Sequence, residues 1–515
     1  MDSVIDKFWS KLITKIDKRF YLILANSFIF GIISHGTRIF DYIHMHDGVW
    51  GLSSAGATTG LGRWSLGITN RIVKFLGDGH NYQSPALLGF LTIIFMAIFI
   101  YIVVNLLNIN SKFLISILSG IAISFPFFPS LFIFMFTAPY YIFSMALSVF
   151  SVYLFSKYND RYYMILISSF ALAYSIGIYQ AVLSVAITFL LFYTIKLIIE
   201  NRIDNKFIIK EIIFIILSVI IYIILAKICA RITGTGIWGY RGVSNFGKDS
   251  IDNYFKKIVK CYFLFFAPMN NTKILGVFLH GKLMYVYYFS LVLLIFMIKK
   301  NFYDKVFEFK TQKVYNIVLL TLCIVAIPFA INFIYFMIGL DEGVYVFMLM
   351  ALIFYIILFI WNVDLLNNLK YKYLYCIIYF ILLLTLYTYC RFDNACHLAN
   401  HIRYDRLKSY YTVMVSQIKN TPGYKDEMPI CYYNQENIKD LTYNDPRPFN
   451  DLIIDGSTSG VYTYIADQFV ATYLGYNPLK VDEKEFKDRQ DVIDMPHYPD
   501  YGSIKVINDT IVIKF

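Results

Sequence analysis

Eleven apolar runs, each long enough or nearly long enough to cross about 30 Å of hydrocarbon, recur through the first 390 residues. They lie near 20–40, 86–107, 113–130, 140–156, 163–177, 180–199, 210–230, 283–298, 314–337, 344–361 and 373–390. In lipid each backbone N–H and C=O must find its partner inside the protein, so runs of this length predict a bundle of transmembrane helices. Composition agrees, with 58% of the 515 residues hydrophobic, 16% charged and a mean hydropathy of +0.56. A single soluble domain, a disordered chain and a nucleic-acid-binding arm are excluded.

An odd number of spans puts the region after residue 390 on the opposite side from the N-terminus. Basic residues set the direction. Lys112, Lys157, Arg161, Arg202, Lys206, Lys210, Lys299, Lys300, Lys305, Lys310, Lys313, Lys370 and Lys372 fall in loops on the N-terminal side, while 131–139, 178–179 and 338–343 carry no Lys or Arg. The N-terminus is therefore expected in the cytoplasm. Net charge divides in the same place, +15 over 1–390 and −4 over 391–515.

Residues 3–19 place Val4, Ile5, Phe8, Trp9, Leu12, Ile13 and Ile16 on one stripe flanked by lysines, which fits an interfacial helix or the flank of a signal anchor. Two long loops, 41–85 and 231–282, are predicted outside. Each holds an amphipathic stretch: Trp64, Ile68, Ile72 and Phe75 in one, and Ile251, Phe255, Ile258 and Tyr262 behind Asp249/Ser250 in the other. Such helices either roof a reaction site at the outer leaflet or simply pack over the bundle. The tail, 391–515, reads as a small α+β extracytoplasmic domain: helices over 394–419 and 461–474, a strand over 429–433, and a terminal hairpin about Asn508-Asp509. Cys396 and Cys431 are the pair that an oxidising compartment would allow to join. The architecture expected is an all-α polytopic membrane body over 1–390 with this second domain.

Carboxylates are scarce, which narrows the search for chemistry. Seven acids precede residue 391 on the predicted outer side: Asp41, Asp47, Asp78, Asp249, Asp252, Asp341 and Glu342. Asp41 and Asp47 follow the first span directly, at headgroup depth, where a partly desolvated carboxylate can accept a hydroxyl proton. Arg63, at the start of the first surface helix, could neutralise a phosphate. The plainer alternatives are that Asp41 caps a helix end and that Arg63 snorkels to lipid. Arg231, Arg241 and Lys248, in the Gly-rich second loop, are further phosphate-binding candidates or ordinary membrane-surface charges. Tyr179 and Gln180 sit at a tight turn between two spans, where a glutamine hydrogen-bonds a sugar or joins helices. Asp393 follows the last span and could border an acceptor groove. His44, His46 and Asp47 lack the further ligands a metal needs, so neither metal nor cofactor is implied.

An acidic residue after the first span followed by Gly62-Arg63-Trp64 resembles the bacterial glucosyl transferase II family. Ser175-Ile176-Gly177-Ile178-Tyr179-Gln180 is similar to that family's Tyr-Gln motif at a helix junction. Met495-Pro496-His497-Tyr498-Pro499, then Gly502-Ser503-Ile504 and the final Ile511-Val512-Ile513, is similar to its ending, so the resemblance spans nearly the whole chain. It implies a membrane-embedded transferase of the GT-C type in the bacterial cytoplasmic membrane. Such an enzyme moves a sugar, typically glucose, from a polyprenyl phosphate onto a cell-surface polysaccharide such as O-antigen or a wall-linked glycan, by a single inverting displacement. Carried over, Asp47 matches the general base, with Asp41 nearby as the competing choice and His46 standing where a second acid is often found. The implied partners are the lipid-linked sugar donor, the polysaccharide acceptor, membrane lipid, a flippase and a polyprenyl-phosphate sugar synthase, with no nucleic acid. A glycan polymerase, or a flippase or transporter of lipid-linked sugars, is the competing reading. Transport predicts charges within spans and short loops.

Overall fold

The computed structural model describes residues 17–41, 43, 59–76, 84–236, 249–266, 283–309, 311–338, 350–366, 371–434 and 466–515. The expected interfacial helix up to residue 16 lies outside this set, as do His44, His46, Asp47, Asp78, Arg241, Lys248, Asp341 and Glu342. The chain divides into two compact units, one of residues 1–41 and 55–394, the other of 42–54 and 395–515.

The first unit is helical. Among the described residues, eight helices are long and apolar enough to cross a membrane. They are α1 (Lys18–Ile39), α3 (Pro85–Leu107), α5 (Ala138–Tyr158), the span Gln180–Ile199 that contains α7 (Leu183–Ile199), α8 (Asn205–Ile232), the span Tyr285–Phe307 that contains most of α10 (Leu283–Ile298), α11 (Lys313–Ile331) and α13 (Lys372–Lys419). Three apolar helices are shorter: α4 (Lys112–Ile123), α6 (Tyr162–Ile178) and α12 (Met350–Leu366). Over the described residues each apolar run of the sequence overlaps one of these helices, and the run 314–337 breaks at Asn332 into α11 and a short helix, Phe333–Met337. Local chemistry sets their ends. Ser84 caps α3 with Pro85 in the first turn, and Asn108 closes it in the left-handed conformation (φ 54°).

Two ends differ from expectation. The run 113–130 yields only the twelve-residue α4, about 18 Å long at 1.5 Å per residue. Pro126 disfavours helix at Phe125 before it, and the chain turns into a separate short helix, Phe128–Ile133. The last run does not stop at 390: span and following helix form one 48-residue element, because no Gly or Pro interrupts 372–419.

Both amphipathic stretches are helices, α2 (Trp64–Leu76) and α9 (Ile251–Phe266). Their apolar stripes largely face away from the protein. Phe75 is 84% exposed, Ile251 90% and Phe255 65%, whereas Lys257 is buried and paired with Asp249 at 2.6 Å. A helix in water would show the reverse, so these outward faces suit lipid. Ser250 Oγ accepts from Asn253 N, so it caps α9 while Asp249 holds Lys257. On the buried side Asn332 Nδ2 donates to Cys261 O at 3.0 Å, and Cys261 Sγ donates to Asn332 O.

In the second unit three strands pair in the order β1-β3-β2, with β1 Ile430–Tyr433, β2 Ile504–Ile507 and β3 Thr510–Lys514. β1 runs parallel to β3 and β2 antiparallel. The β2–β3 turn is Asn508-Asp509, both at positive φ (50° and 51°), the two-residue hairpin that the dipeptide predicts. Alternation along β3 sends Ile511 and Ile513 against Leu407, Tyr411, Met414 and Ile418 of α13, and Val512 against Cys431, Phe486 and Met495. Helix α14 (Ala466–Leu474) adds Phe469 and Val470 to the first cluster.

Cys396 and Cys431 are buried and are not joined by a disulfide. Burial pushes the Cys431 thiol up to about 11, so little thiolate forms near neutral pH. Maleimide at pH 7.5 is accordingly expected to leave Cys431 unmodified in the folded protein and to modify it after denaturation, read by peptide mass spectrometry. Fast labelling of the folded protein, or a Cys396–Cys431 cross-linked peptide, would contradict this.

Candidate active site

Two glycines, Gly62 in the loop entering α2 and Gly177 on α6, leave no room for a Cβ unless a neighbour shifts. Thr59–Leu61 forms a single 3-10 turn, closed by Gly62 N donating to Thr59 O at 2.9 Å. Gly62 then takes φ +73°, and a Cβ there would sit 2.7 Å from the Tyr222 hydroxyl and 3.1 Å from Gln180 Nε2. At Gly177 a Cβ would meet the Trp64 indole at 2.6 Å and Ser65 Oγ at 2.7 Å. Its absence lets the start of α2 dock on the end of α6. Ser65 Oγ completes the joint by donating to Tyr174 O at 2.6 Å, and the Trp64 ring packs edge-on against Tyr174.

Polar bonds tie the loop to the α6–α7 junction. Gln180 Nε2 donates to Leu61 O at 2.6 Å and to the Tyr222 hydroxyl at 3.3 Å, and that hydroxyl donates to Gly62 O at 3.3 Å. Tyr222 comes from α8, so the knot joins three separate parts of the sequence. Such a network is favourable in a span because each donor there needs a partner.

Arg63 stands at the N-terminal start of α2, half-buried. Its Nη1 donates to the Tyr141 hydroxyl at 3.0 Å, and its Cζ lies 5.9 Å from the Tyr141 ring centre and 5.4 Å from that of Tyr179. Those two rings stack at 4.6 Å with 23° between their planes. The result is a permanent cation in fixed orientation beside two aromatic faces, where the amide dipoles of α2 add positive potential. This arrangement suits an anionic oxygen such as a phosphate, with aromatic surface adjoining.

Of the residues expected from sequence, Arg63, Tyr179 and Gln180 are brought together. Asp41 lies just past α1, half-buried, its backbone oxygen accepting from Arg38 Nη1 at 3.1 Å. Arg231 is exposed in the last turn of α8. Asp47, His46, Arg241 and Lys248 lie outside the described residues. Asp393 is fully buried, 3.6 Å from His35 Nε2, and neither of its carboxyl oxygens has a hydrogen-bond partner among the described residues. His35 Nε2 also lies 2.8 Å from Ile123 O. Among the described residues no three His, Cys, Asp or Glu side chains converge as metal ligands. Tyr141, Tyr174 and Tyr222, which contact Arg63, Trp64 and Gly62, are invisible to motif reading, since three tyrosines among 44 carry no linear signal.

Fold and site together define a polytopic helical membrane protein with a cationic, aromatic-lined centre at the start of a short helix. A family model described as glucosyl transferase GtrII matches residues 34–356, more than half of the chain, and the chain belongs to that family. It is a membrane glycosyltransferase. The matched stretch encloses Asp41, Arg63, Tyr141, Tyr179, Gln180 and Tyr222 and ends before Asp393, so the tail motif at 495–499 falls outside it. Neither curated proteins nor solved structures yield a match to this chain.

Proposed function

We propose that this protein transfers a sugar, glucose as its family indicates, from a polyprenyl-phosphate donor to a cell-surface polysaccharide or wall glycan at the outer face of the bacterial cytoplasmic membrane. On this reading all eleven apolar helices span or enter the bilayer as a GT-C-type body, and the second unit is extracytoplasmic. The observation that carries the proposal is the held guanidinium of Arg63 beside the Tyr141–Tyr179 stack.

The reaction is a single displacement. An acceptor hydroxyl attacks the anomeric carbon while a carboxylate, Asp47 or Asp41, takes its proton. The anomeric C–O bond breaks, polyprenyl phosphate leaves, and configuration inverts. The leaving phosphate gains negative charge, so a donor fixed in advance at that oxygen lowers the barrier without reorganising. Arg63 is that donor. Arg241 and Lys248 belong to a Gly-rich stretch of sequence that would order on donor binding, and Arg231, which the sequence alone assigned to that loop, stands before it in the last turn of α8. The faces of Tyr179 and Tyr141 offer a sugar an apolar platform. Gln180 keeps the platform in register through Leu61, and His46 is assigned to acceptor contact, whereas full burial of Asp393 beside His35 takes that carboxylate away from an acceptor groove.

The test is transfer from radiolabelled polyprenyl-phosphate glucose to the host glycan by purified wild type, Asp47→Asn and Asp41→Asn, with and without chelator. Chelator-resistant transfer that drops by at least about 10²-fold in Asp47→Asn is the expected result. The same loss confined to Asp41→Asn moves the base to Asp41. Full activity in both variants would overturn the carboxylate-base mechanism.

A further inference from the structure

We propose that Tyr141, which belongs to none of the sequence motifs, is a positioning residue that aims the Arg63 guanidinium at the donor phosphate; this rests on the phosphate-binding reading of Arg63. Three features of its surroundings make Tyr141 a rigid support. It lies in the first turn of α5, where Pro139 fixes the backbone and Tyr141 N donates to Thr137 O at 3.1 Å. Its carbonyl accepts from Ser144 Oγ at 2.7 Å, and Ser144 O accepts in turn from Ser175 Oγ at 2.6 Å. Ser175 is on α6, four residues before Tyr179, whose amide donates to Ser175 O at 3.2 Å. The ring that Tyr141 stacks upon is therefore anchored to the same pair of helices as Tyr141 itself.

The geometry separates two jobs within the pair. The Tyr179 ring supplies a face, 5.4 Å from Arg63 Cζ, against which the guanidinium can still turn. The Tyr141 hydroxyl supplies a directional contact, 3.0 Å from Nη1, and that bond together with the ring face restrains the plane of the guanidinium. Phosphate recognition by arginine depends on the direction of that plane. Removing the hydroxyl alone, with the ring kept, should leave the fold and the cation in place and lose the aim.

The experiment measures binding of radiolabelled polyprenyl phosphate to the full chain in phosphatidylcholine nanodiscs, for wild type, Tyr141→Phe, Arg63→Gln and the double variant. Tyr141→Phe is expected to weaken binding roughly tenfold with an unchanged thermal midpoint. Arg63→Gln should weaken it further, and adding Tyr141→Phe to Arg63→Gln should change nothing. Wild-type affinity in Tyr141→Phe beside weak binding in Arg63→Gln overturns the role of Tyr141 alone. A tenfold loss that repeats in the Arg63→Gln background also overturns it, because the hydroxyl would then act independently of the guanidinium. Wild-type affinity in Arg63→Gln overturns the phosphate reading and the positioning role with it.

Discussion

Arg63→Ala is expected to lower sugar transfer by about 10²–10³-fold while the protein still folds and inserts. That range is what one preorganised donor to a developing oxyanion contributes in other enzymes, roughly 2.7–4 kcal/mol. The side chain is half-buried, and its Nη1 donates to the Tyr141 hydroxyl. Arg63→Lys keeps the charge but loses the planar fork, and should recover only a small part of the rate. Initial rates at saturating acceptor, set beside thermal unfolding of the same preparations, separate a catalytic loss from a folding one. A loss of less than threefold in Arg63→Ala would remove Arg63 from the reaction.

Gly177→Ala is expected to be nearly as damaging, by a steric route. The added methyl would sit 2.6 Å from the Trp64 indole and 2.7 Å from Ser65 Oγ. Neither neighbour is a free end. Trp64 is 4% exposed and packed against Tyr174, and Ser65 is held to Tyr174 O. The start of α2 must therefore shift, and Arg63 with it. Overpacking of this kind costs about 1–3 kcal/mol of stability. A displacement near 1 Å at a positioned group costs about 10²-fold in rate. A thermal midpoint and transfer rate both at wild-type values in Gly177→Ala would show that α2 does not dock as described.

Much of the membrane body is legible from sequence because one physical rule, satisfaction of the backbone in lipid, acts on each span separately. What escapes that rule needs local or long-range detail. The early end of α4 follows from Pro126, which a hydropathy window averages away. The unbroken α13 follows from the absence of a breaker between Cys390 and Asp393, where the drop in hydropathy looks like a boundary. At the site, Arg63, Tyr179 and Gln180 could be picked out because charge, or polarity at a span junction, is conspicuous in an apolar chain. Tyr141 and Tyr222 could not be: their partners, Arg63 and Gly62, lie 78 and 160 residues away, and tyrosine is common here. The internal use of Gln180 is likewise a tertiary fact, since the same residue type at the same junction would serve a sugar equally well. His35 and Asp393 meet across 358 residues, which no spacing rule reveals.

The most direct test of the central claim is a single-turnover assay with purified wild-type protein, polyprenyl-phosphate glucose in liposomes and the host's surface glycan as acceptor. Label appearing in the glycan, with polyprenyl phosphate released in equal amount and an inverted anomeric linkage by NMR, is the predicted result. Label that crosses the bilayer still attached to its lipid, with none in the glycan, would contradict the transferase mechanism and make the protein a carrier of its lipid-linked sugar.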